Sequence, residues 1–131
     1  VGYRHVGLFD LLRGDVSFAE VIHRAQQSPL HVIARGDGDL EELTYDVDAT
    51  DIVFDALAET YDAIIIDAPF DLSERERAAL GRHVDQAAIL CRGAQPDEAT
   101  ADQFSAFRAV LGRDPWVVTL DPERQELKTA A

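Results

Sequence analysis

The chain has 131 residues, with 12 Lys and Arg against 25 Asp and Glu, a formal net charge of −13 at pH 7 and a sequence pI near 4.5. This length suits one core, so we expect residues 1–131 to form a single domain. The negative charge would repel a phosphate backbone or an anionic lipid surface, which disfavours direct binding of nucleic acid or of lipid headgroups.

The cysteine content and the hydropathy pattern favour a soluble piece of protein. The single cysteine, Cys91, cannot form an internal disulfide, and its apolar surroundings suit a small buried side chain in a reducing compartment. The longest apolar run, residues 63–66, is far too short to span a bilayer. No charged leader followed by an apolar segment opens the chain.

Helix-like and strand-like stretches alternate along the chain, a pattern typical of an α/β fold with a parallel sheet and crossover helices. Residues 8–13 predict a short helix that ends at Gly14. Ser17 and Glu20 have the spacing of a capping box at the start of a second helix. The predicted buried stripe of that helix consists of Phe18, Val21, Ile22 and Ala25. Residues 30–34 then predict a short strand.

The middle of the chain contains the strongest local signal. An acidic loop over residues 37–48 leads into a predicted helix from near Thr50 to about Thr60. The four apolar residues 63–66 follow without alternation and end at Asp67. Such a run predicts a strand covered on both faces, as in the middle of a parallel sheet.

The second half repeats the alternation of helix and strand. Ser73 and Glu76 again have capping-box spacing, at the start of a helix that ends near His83. The remaining predicted elements are a buried strand over residues 86–91, a helix from Pro96 to about Leu111, and a last strand over residues 116–120.

Asp67 is the first candidate for chemistry. Parallel α/β folds bind ligands beyond the carboxyl ends of their strands, and an Asp at that position can hold a hydrated metal ion beside a nucleotide. An Asp at the end of a strand is also typical of a turn or a helix cap. The residue alone therefore leaves both interpretations open.

The neighbouring residues carry a family resemblance. Residues 61–69, Tyr-Asp-Ala-Ile-Ile-Ile-Asp-Ala-Pro, resemble the YDxxIIDxPP Walker B segment of the MinD/ParA-like deviant-Walker ATPases, in particular the branch of bacterial tyrosine kinases and exopolysaccharide co-polymerases. Residues 7–14 resemble the GLSDVLxG segment of that branch, residues 39–43 its PAELL-like element, and residues 84–92 its aDgvllVvr strand. The order and spacing hold along nearly the whole chain.

The resemblance implies a fold and a cofactor site. The implied fold is a P-loop NTPase-like three-layer α/β sandwich with a mainly parallel sheet, of which this chain is the C-terminal part, incomplete or lacking the P-loop strand. Mg-ATP or Mg-ADP is the cofactor of the family. Asp67 is expected to assist the metal and the catalysis, and Asp67, Pro69, Arg92 and Asp121 are expected to lie at the cofactor site.

The departures from the family pattern put that cofactor in doubt. No glycine-rich stretch followed by Lys-Ser or Lys-Thr occurs, and the only lysine is Lys128. Without such a loop the β and γ phosphates have no cradle, so we expect this chain alone to bind no nucleotide. Phe70 replaces the second Pro, Asp121 replaces the usual Asn, and the C-terminal tail contains no tyrosine. Whether the chain is an enzyme, as an ATPase or a tyrosine kinase, stays open.

The resemblance also implies a biological role. We expect a cytoplasmic regulatory ATPase-like domain of an exopolysaccharide or capsular polysaccharide chain-length and export protein, at the inner face of the bacterial plasma membrane. Its expected partners are further copies of itself and a membrane-spanning co-polymerase domain. The alternatives are a non-catalytic scaffold of the same fold and a MinD/ParA-type positioning ATPase.

Other candidate sites have simpler interpretations. The acidic residues 37–42 lack the Gly and the terminal Glu of a calcium loop at the required offsets, so a solvated loop is favoured. The four histidines show no zinc-ligand spacing. Two Arg-Gly-Asp sequences, at residues 13–15 and 35–37, are explained as turns.

The predicted fold also raises a question of strand pairing. In the family the P-loop strand lies beside the Walker B strand, so its absence would leave the strand over residues 63–66 with an unpaired edge. We expect upstream chain, another copy of the protein or a rearranged sheet to fill that edge.

Overall fold

The computed structural model describes residues 5–120. The chain divides into two units, Val1–Ile66 and Asp67–Ala131, and each has its own small sheet. The mixture of helices and strands agrees with an α/β class. The two sheets have two strands each, one antiparallel and one parallel, so the predicted mainly parallel sheet is present only as a single parallel pair.

The first unit consists of short elements around one long helix. In chain order these are α1 (Leu8–Leu12), α2 (Phe18–Val21), β1 (Ile22–Arg24), β2 (His31–Ile33), a 3-10 helix (Leu40–Thr44) and α3 (Val47–Thr60). Leu11, Val21, Val53 and Leu57 form its buried core cluster. Burial of these apolar side chains is the main force that holds α1, α2 and α3 together.

The second predicted helix is wrong in its length. Glu20 accepts the backbone N–H of Ser17 at 2.6 Å, which is one of the two hydrogen bonds of the predicted capping box, but α2 ends at Val21. Ile22 has an extended conformation and pairs with Ile33 in the antiparallel β1–β2 sheet. The β-branched Ile22 fits a strand at least as well as a helix, and its cross-strand partner decides between them.

Two glycines allow α1 to lie against the end of β2. The backbone N–H of Leu8 donates to Ala34 O at 2.9 Å, and that of Phe9 donates to Arg35 O at 3.1 Å. A Cβ on Gly7 would lie 2.3 Å from both Ala34 O and Gly36 N. No side chain fits at this distance, so the close approach requires glycine.

The second unit contains a parallel crossover. Its elements are α4 (Glu74–Gly81), β3 (Ala88–Arg92), α5 (Glu98–Leu111) and β4 (Trp116–Leu120). The predicted last strand is confirmed, and β3 and β4 pair in parallel from Ala88↔Trp116 to Arg92↔Leu120. Such a pair needs a crossover, which α5 provides.

Local capping explains where these helices begin and end. Glu76 N donates to Ser73 Oγ at 3.2 Å, and Ser73 N donates to Glu76 Oε2 at 2.9 Å, so the predicted capping box is confirmed. The α5 helix begins after Asp97, whose carboxylate accepts from Thr100 N at 2.8 Å, rather than at the predicted Pro96. It ends at Gly112, in the left-handed conformation.

The predicted buried strand over residues 63–66 is wrong. These residues belong to no helix and no paired strand, and Ile65 is 92% exposed. A strand exists only where a neighbour accepts and donates its backbone hydrogen bonds, and residues 5–120 provide none for this segment. The apolar sequence alone could not establish that neighbour.

The tight contact at Gly36 generates a stability prediction. Gly36 has φ +78°, and a Cβ there would lie 2.5 Å from Asp10 Oδ2 and 2.7 Å from Gly7 N. We expect Gly36→Ala to destabilise the chain by about 2–4 kcal/mol, because it adds overlap to an unfavourable backbone conformation. Urea unfolding followed by circular dichroism measures this change.

Gly14→Ala is the matched control. Gly14 has nearly the same φ, +77°, but a Cβ there would meet no atom within 4 Å. Its expected cost is about 1 kcal/mol, from the conformation alone. Equal losses in the two variants would show that the close approach at Gly36 contributes nothing.

Candidate functional site

Asp67 and Pro69 lie in the segment between α3 and α4. Both are exposed, and neither belongs to a helix or a strand. Within residues 5–120, Asp67 makes no hydrogen bond or ion pair. The structure therefore places its carboxylate in solvent, rather than at the end of a paired strand.

Arg92 is the last residue of β3, one position beyond the predicted end of that strand at Cys91. Its side chain is exposed, and it lies in register with Leu120 of β4. The following residue, Gly93, has φ +101° and donates its N–H to Leu120 O at 3.0 Å, which turns the chain away from the sheet. No hydrogen bond joins Arg92 to Asp67 or Pro69 in the described part of the chain.

The three described candidates, Asp67, Pro69 and Arg92, are therefore not joined by hydrogen bonds or ion pairs within residues 5–120. Asp121 lies outside the described residues. Over residues 5–120, no group of three or more His, Cys, Asp or Glu side chains is arranged to hold a metal ion. With no glycine-rich Lys loop in the sequence either, these residues do not fit Mg-ATP by themselves.

The most connected polar group in the structure is instead the guanidinium of Arg13. It donates to Asp10 Oδ1 at 2.9 Å, to Glu42 Oε2 at 2.7 Å and to Asp15 Oδ2 at 3.3 Å. It also donates to the backbone oxygen of Asp37 at 2.8 Å. We call Arg13, Asp10, Asp15 and Glu42 the Arg13 cluster.

Asp10 gives this cluster a buried anchor. Its side chain is fully buried, and its Oδ2 accepts the backbone N–H of Gly7 at 2.9 Å while Oδ1 accepts from Arg13. A buried carboxylate is tolerated only when such partners replace its water. Asp10 thus ties the start of α1 to the guanidinium at its end.

Hydrogen bonds from the Arg13 cluster hold the loop after β2 in place. Arg13 reaches Asp37 and Glu42 in that loop, and Glu42 accepts the backbone N–H of Asp39 at 3.1 Å, closing the first turn of the 3-10 helix. Arg35 adds a hydrogen bond to Gly38 O at 2.7 Å and lies 5.7 Å above the ring of Phe9. The acidic loop predicted to be solvated is therefore held in place by two arginines.

Hydrogen bonds, and after them opposite charges, shift the pKa values of Arg13 and Glu42. The pKa of Glu42 lies below its usual 4.5, first because the Asp39 backbone N–H stabilises the carboxylate and then because Arg13 does. The pKa of Arg13 is raised, chiefly by its hydrogen bond to Glu42. Nearby, the carboxylate of Glu41 raises the pKa of Tyr45. The shifts of Arg13 and Glu42 favour the charged forms of both residues in the folded state, whereas that of Tyr45 favours its neutral form.

A cavity of about 450 Å³ adjoins the cluster. Its wall combines polar side chains with the apolar atoms of Leu12 and Ala49. The polar groups are already engaged: Glu42 and Asp15 bind Arg13, and Asp46 accepts the backbone N–H of Ala49 at 3.0 Å. Because its charges satisfy one another, the cavity offers few groups to a ligand, and the arrangement is structural.

The Arg13 cluster was not predicted from the sequence. Residues 13–15 were interpreted as a turn, which the φ of +77° at Gly14 confirms, and residues 7–14 were interpreted as a segment with a family resemblance. One signal was available. Asp10 and Arg13 are three residues apart on a predicted helix, a spacing at which opposite charges interact. The contact between Arg13 and Glu42 spans 29 positions and leaves no local pattern.

Comparisons with known proteins add no relative to this picture. No protein-family model, curated protein or solved structure matches the chain. Across residues 5–120, no helix is both long enough and apolar enough to cross a membrane.

The pKa shift of Glu42 predicts a pH-dependent contribution to stability. A carboxylate whose folded pKa is lowered stabilises the protein above its unfolded pKa, and this contribution is lost as the pH falls through the folded pKa. We therefore expect Glu42→Gln to be less stable than the wild type at pH 7. The difference should shrink progressively at pH values below 4.5. Urea midpoints across this range measure it.

The control is Glu59→Gln, which removes an exposed carboxylate on α3. It should change the urea midpoint less than Glu42→Gln at pH 7. A Glu42→Gln effect that stays constant as the medium is acidified would show that the charge of Glu42 does not stabilise the fold.

Proposed function

We propose that this chain is part of a cytoplasmic regulatory domain, ATPase-like in fold, that acts in the biosynthesis and export of an extracellular or capsular polysaccharide. The observation that carries the proposal is the order of the segments that resemble the bacterial tyrosine kinase and co-polymerase branch. Residues 7–14, 39–43, 61–69 and 84–92 follow one another with the family spacing. Any one of these segments alone would be weak support.

The first of these segments, residues 7–14, helps to build the fold, which is a physical reason for such a motif to be kept. Gly7 permits the close approach to Gly36, Asp10 is fully buried, and Gly14 adopts φ +77°. The segment is therefore needed to build the fold around Arg13. A sequence under this constraint can persist in a domain whose nucleotide site has changed.

The parallel crossover in the second unit supports the same proposal. A P-loop NTPase-like sandwich is built from such units, with strands in parallel and helices between them. The β3–α5–β4 crossover contains the segment 84–92, and Arg92 lies at the carboxyl end of its strand. The exposed position of residues 63–66 gives no support, so the proposal does not use that strand.

We place the regulatory role in interaction rather than in hydrolysis by these 131 residues alone. Asp67 is exposed without a partner in the described part of the chain, and the sequence lacks a phosphate-binding loop. Nucleotide binding would require such a loop from outside these residues. A non-catalytic scaffold is the second candidate, and it is favoured by Phe70, which replaces the second Pro and is 46% exposed.

Polysaccharide analysis tests this proposal. Deletion of the gene in the organism that encodes it should change the length distribution or the amount of the secreted polysaccharide, and the wild-type gene should restore it. Size-exclusion chromatography of the purified polymer measures the distribution. An unchanged polymer after deletion would contradict the proposed function.

Two complementing variants separate the candidates. Asp67→Asn should fail to restore the polymer if a nucleotide site uses this carboxylate. Asp62→Asn, at an exposed neighbour, is the matched control and should restore the polymer. Full restoration by both variants favours the scaffold. In parallel, calorimetry of the 131-residue chain with Mg-ADP should show no heat of binding. Micromolar binding would refute the argument from the missing loop.

A further inference from the structure

Strand β4 of the parallel pair is exposed along its whole length. Trp116 is 66% exposed, and Val117, Val118 and Leu120 are 37%, 39% and 39% exposed. By contrast, Ile89 and Cys91 of β3 are buried, at 5% and 8%. The strands of a parallel sheet are normally covered on both faces, so an exposed apolar strand such as β4 is unusual in a parallel pair.

One edge of β4 has backbone hydrogen-bonding groups that pair with no strand among residues 5–120. Trp116 N donates to Ala87 O, and Leu120 O accepts from Gly93 N, so these two residues direct their backbone groups toward β3. Because successive residues of a strand alternate in direction, the N–H and C=O groups of Val117 and Thr119 point away from β3. Among the described residues, β4 pairs with β3 only.

The residues of β4 do not protect this edge. Exposed edges are usually guarded by charged side chains, by Pro or by bulges. The sequence of β4, Trp-Val-Val-Thr-Leu, contains none of these, and its β-branched and aromatic residues favour strand pairing. The chain as a whole carries −13, yet the five residues of β4 carry no charge.

We propose that two copies of this chain associate through β4, which pairs with β4 of the second copy in antiparallel orientation about a two-fold axis at Val118. The result is a continuous four-stranded sheet in the order β3, β4, β4, β3. Val117 of one copy and Thr119 of the other then exchange both backbone hydrogen bonds. Each β4 becomes an interior strand of the sheet.

Charge and size favour a second copy as the occupant. The two-fold axis places Val118 opposite itself and Trp116 opposite Leu120, so every cross-strand pair is neutral, and the largest side chain meets an aliphatic one. A charged partner strand would find no opposite charge along β4. The edge is therefore complementary to itself, as a two-fold interface requires.

The proposed dimer has a specific salt dependence. Two chains of −13 repel each other at long range, whereas the β4 contact itself is uncharged. Added salt screens the repulsion and leaves the apolar and backbone contacts intact. Association should therefore strengthen as ionic strength rises, which is the opposite of an interface held by ion pairs.

Sedimentation equilibrium of the 131-residue chain tests the proposal. We expect a reversible monomer–dimer equilibrium that shifts toward the dimer in higher salt. Val118→Lys should abolish the dimer, because it places two ammonium groups opposite each other. Val47→Lys is the control, since Val47 is a valine of similar exposure, 40%, on α3, and its dimer should persist.

A second variant tests the backbone contact itself. Thr119→Pro removes an N–H that points away from β3, so it should weaken the dimer while the fold is retained, as judged by circular dichroism. A chain that stays monomeric at all concentrations would overturn the proposal. So would a dimer that survives both Val118→Lys and Thr119→Pro in folded chains. The test needs no nucleotide, so its outcome is independent of the proposed function.

Discussion

Strand pairing is the constraint on which the architecture of this chain depends. A strand needs a second strand to satisfy its backbone N–H and C=O groups, and residues 5–120 provide two such pairs, β1 with β2 and β3 with β4. The apolar segment 63–66 has no partner and lies exposed, although its side chains suit a buried strand better than any others in the sequence. Hydrophobicity selects which segments can be strands, and pairing decides which of them become strands.

Elsewhere the chain is organised by short polar contacts. Asp46, Ser73 and Asp97 accept the orphan backbone N–H groups at the starts of α3, α4 and α5. In the first unit Asp10 likewise accepts the backbone N–H of Gly7 at the start of α1, and Arg13 at its end donates to the backbone oxygen of Asp37 in a distant loop. The short helix α1 would be marginal in isolation, and its fixed position depends on these contacts and on Gly7.

These two kinds of interaction explain how much the sequence could predict. Capping boxes and glycine turns are local patterns, and they were predicted correctly because their causes lie within a few residues of one another. The strand over residues 116–120 was also predicted correctly, but its formation depends on a partner, β3, that its own sequence does not specify. The end of α2 at Val21, the exposed segment 63–66 and the contact between Arg13 and Glu42 depend on distant partners. Composition and periodicity contain no information about those partners.

The same distinction applies to the candidate site. A Walker B-like sequence is a local pattern, whereas a nucleotide site needs groups from several strands and a phosphate-binding loop. The structure describes Asp67, Pro69 and Arg92 and does not join them through hydrogen bonds or ion pairs in residues 5–120. A Walker B-like segment therefore does not by itself establish a nucleotide site.

The exposed carboxylate of Asp67 and the exposed strand β4 differ in whether they need a partner. Asp67 is a hydrated carboxylate, which is stable in water and requires no partner for folding. β4 exposes Trp116 and three aliphatic side chains beside backbone groups that pair with no strand among residues 5–120. Pairing with a neutral strand would bury part of this apolar surface and satisfy these backbone groups, which would lower the free energy. The structure therefore presents an exposed apolar strand at β4, whereas a nucleotide site would need a phosphate-binding loop that this sequence does not contain.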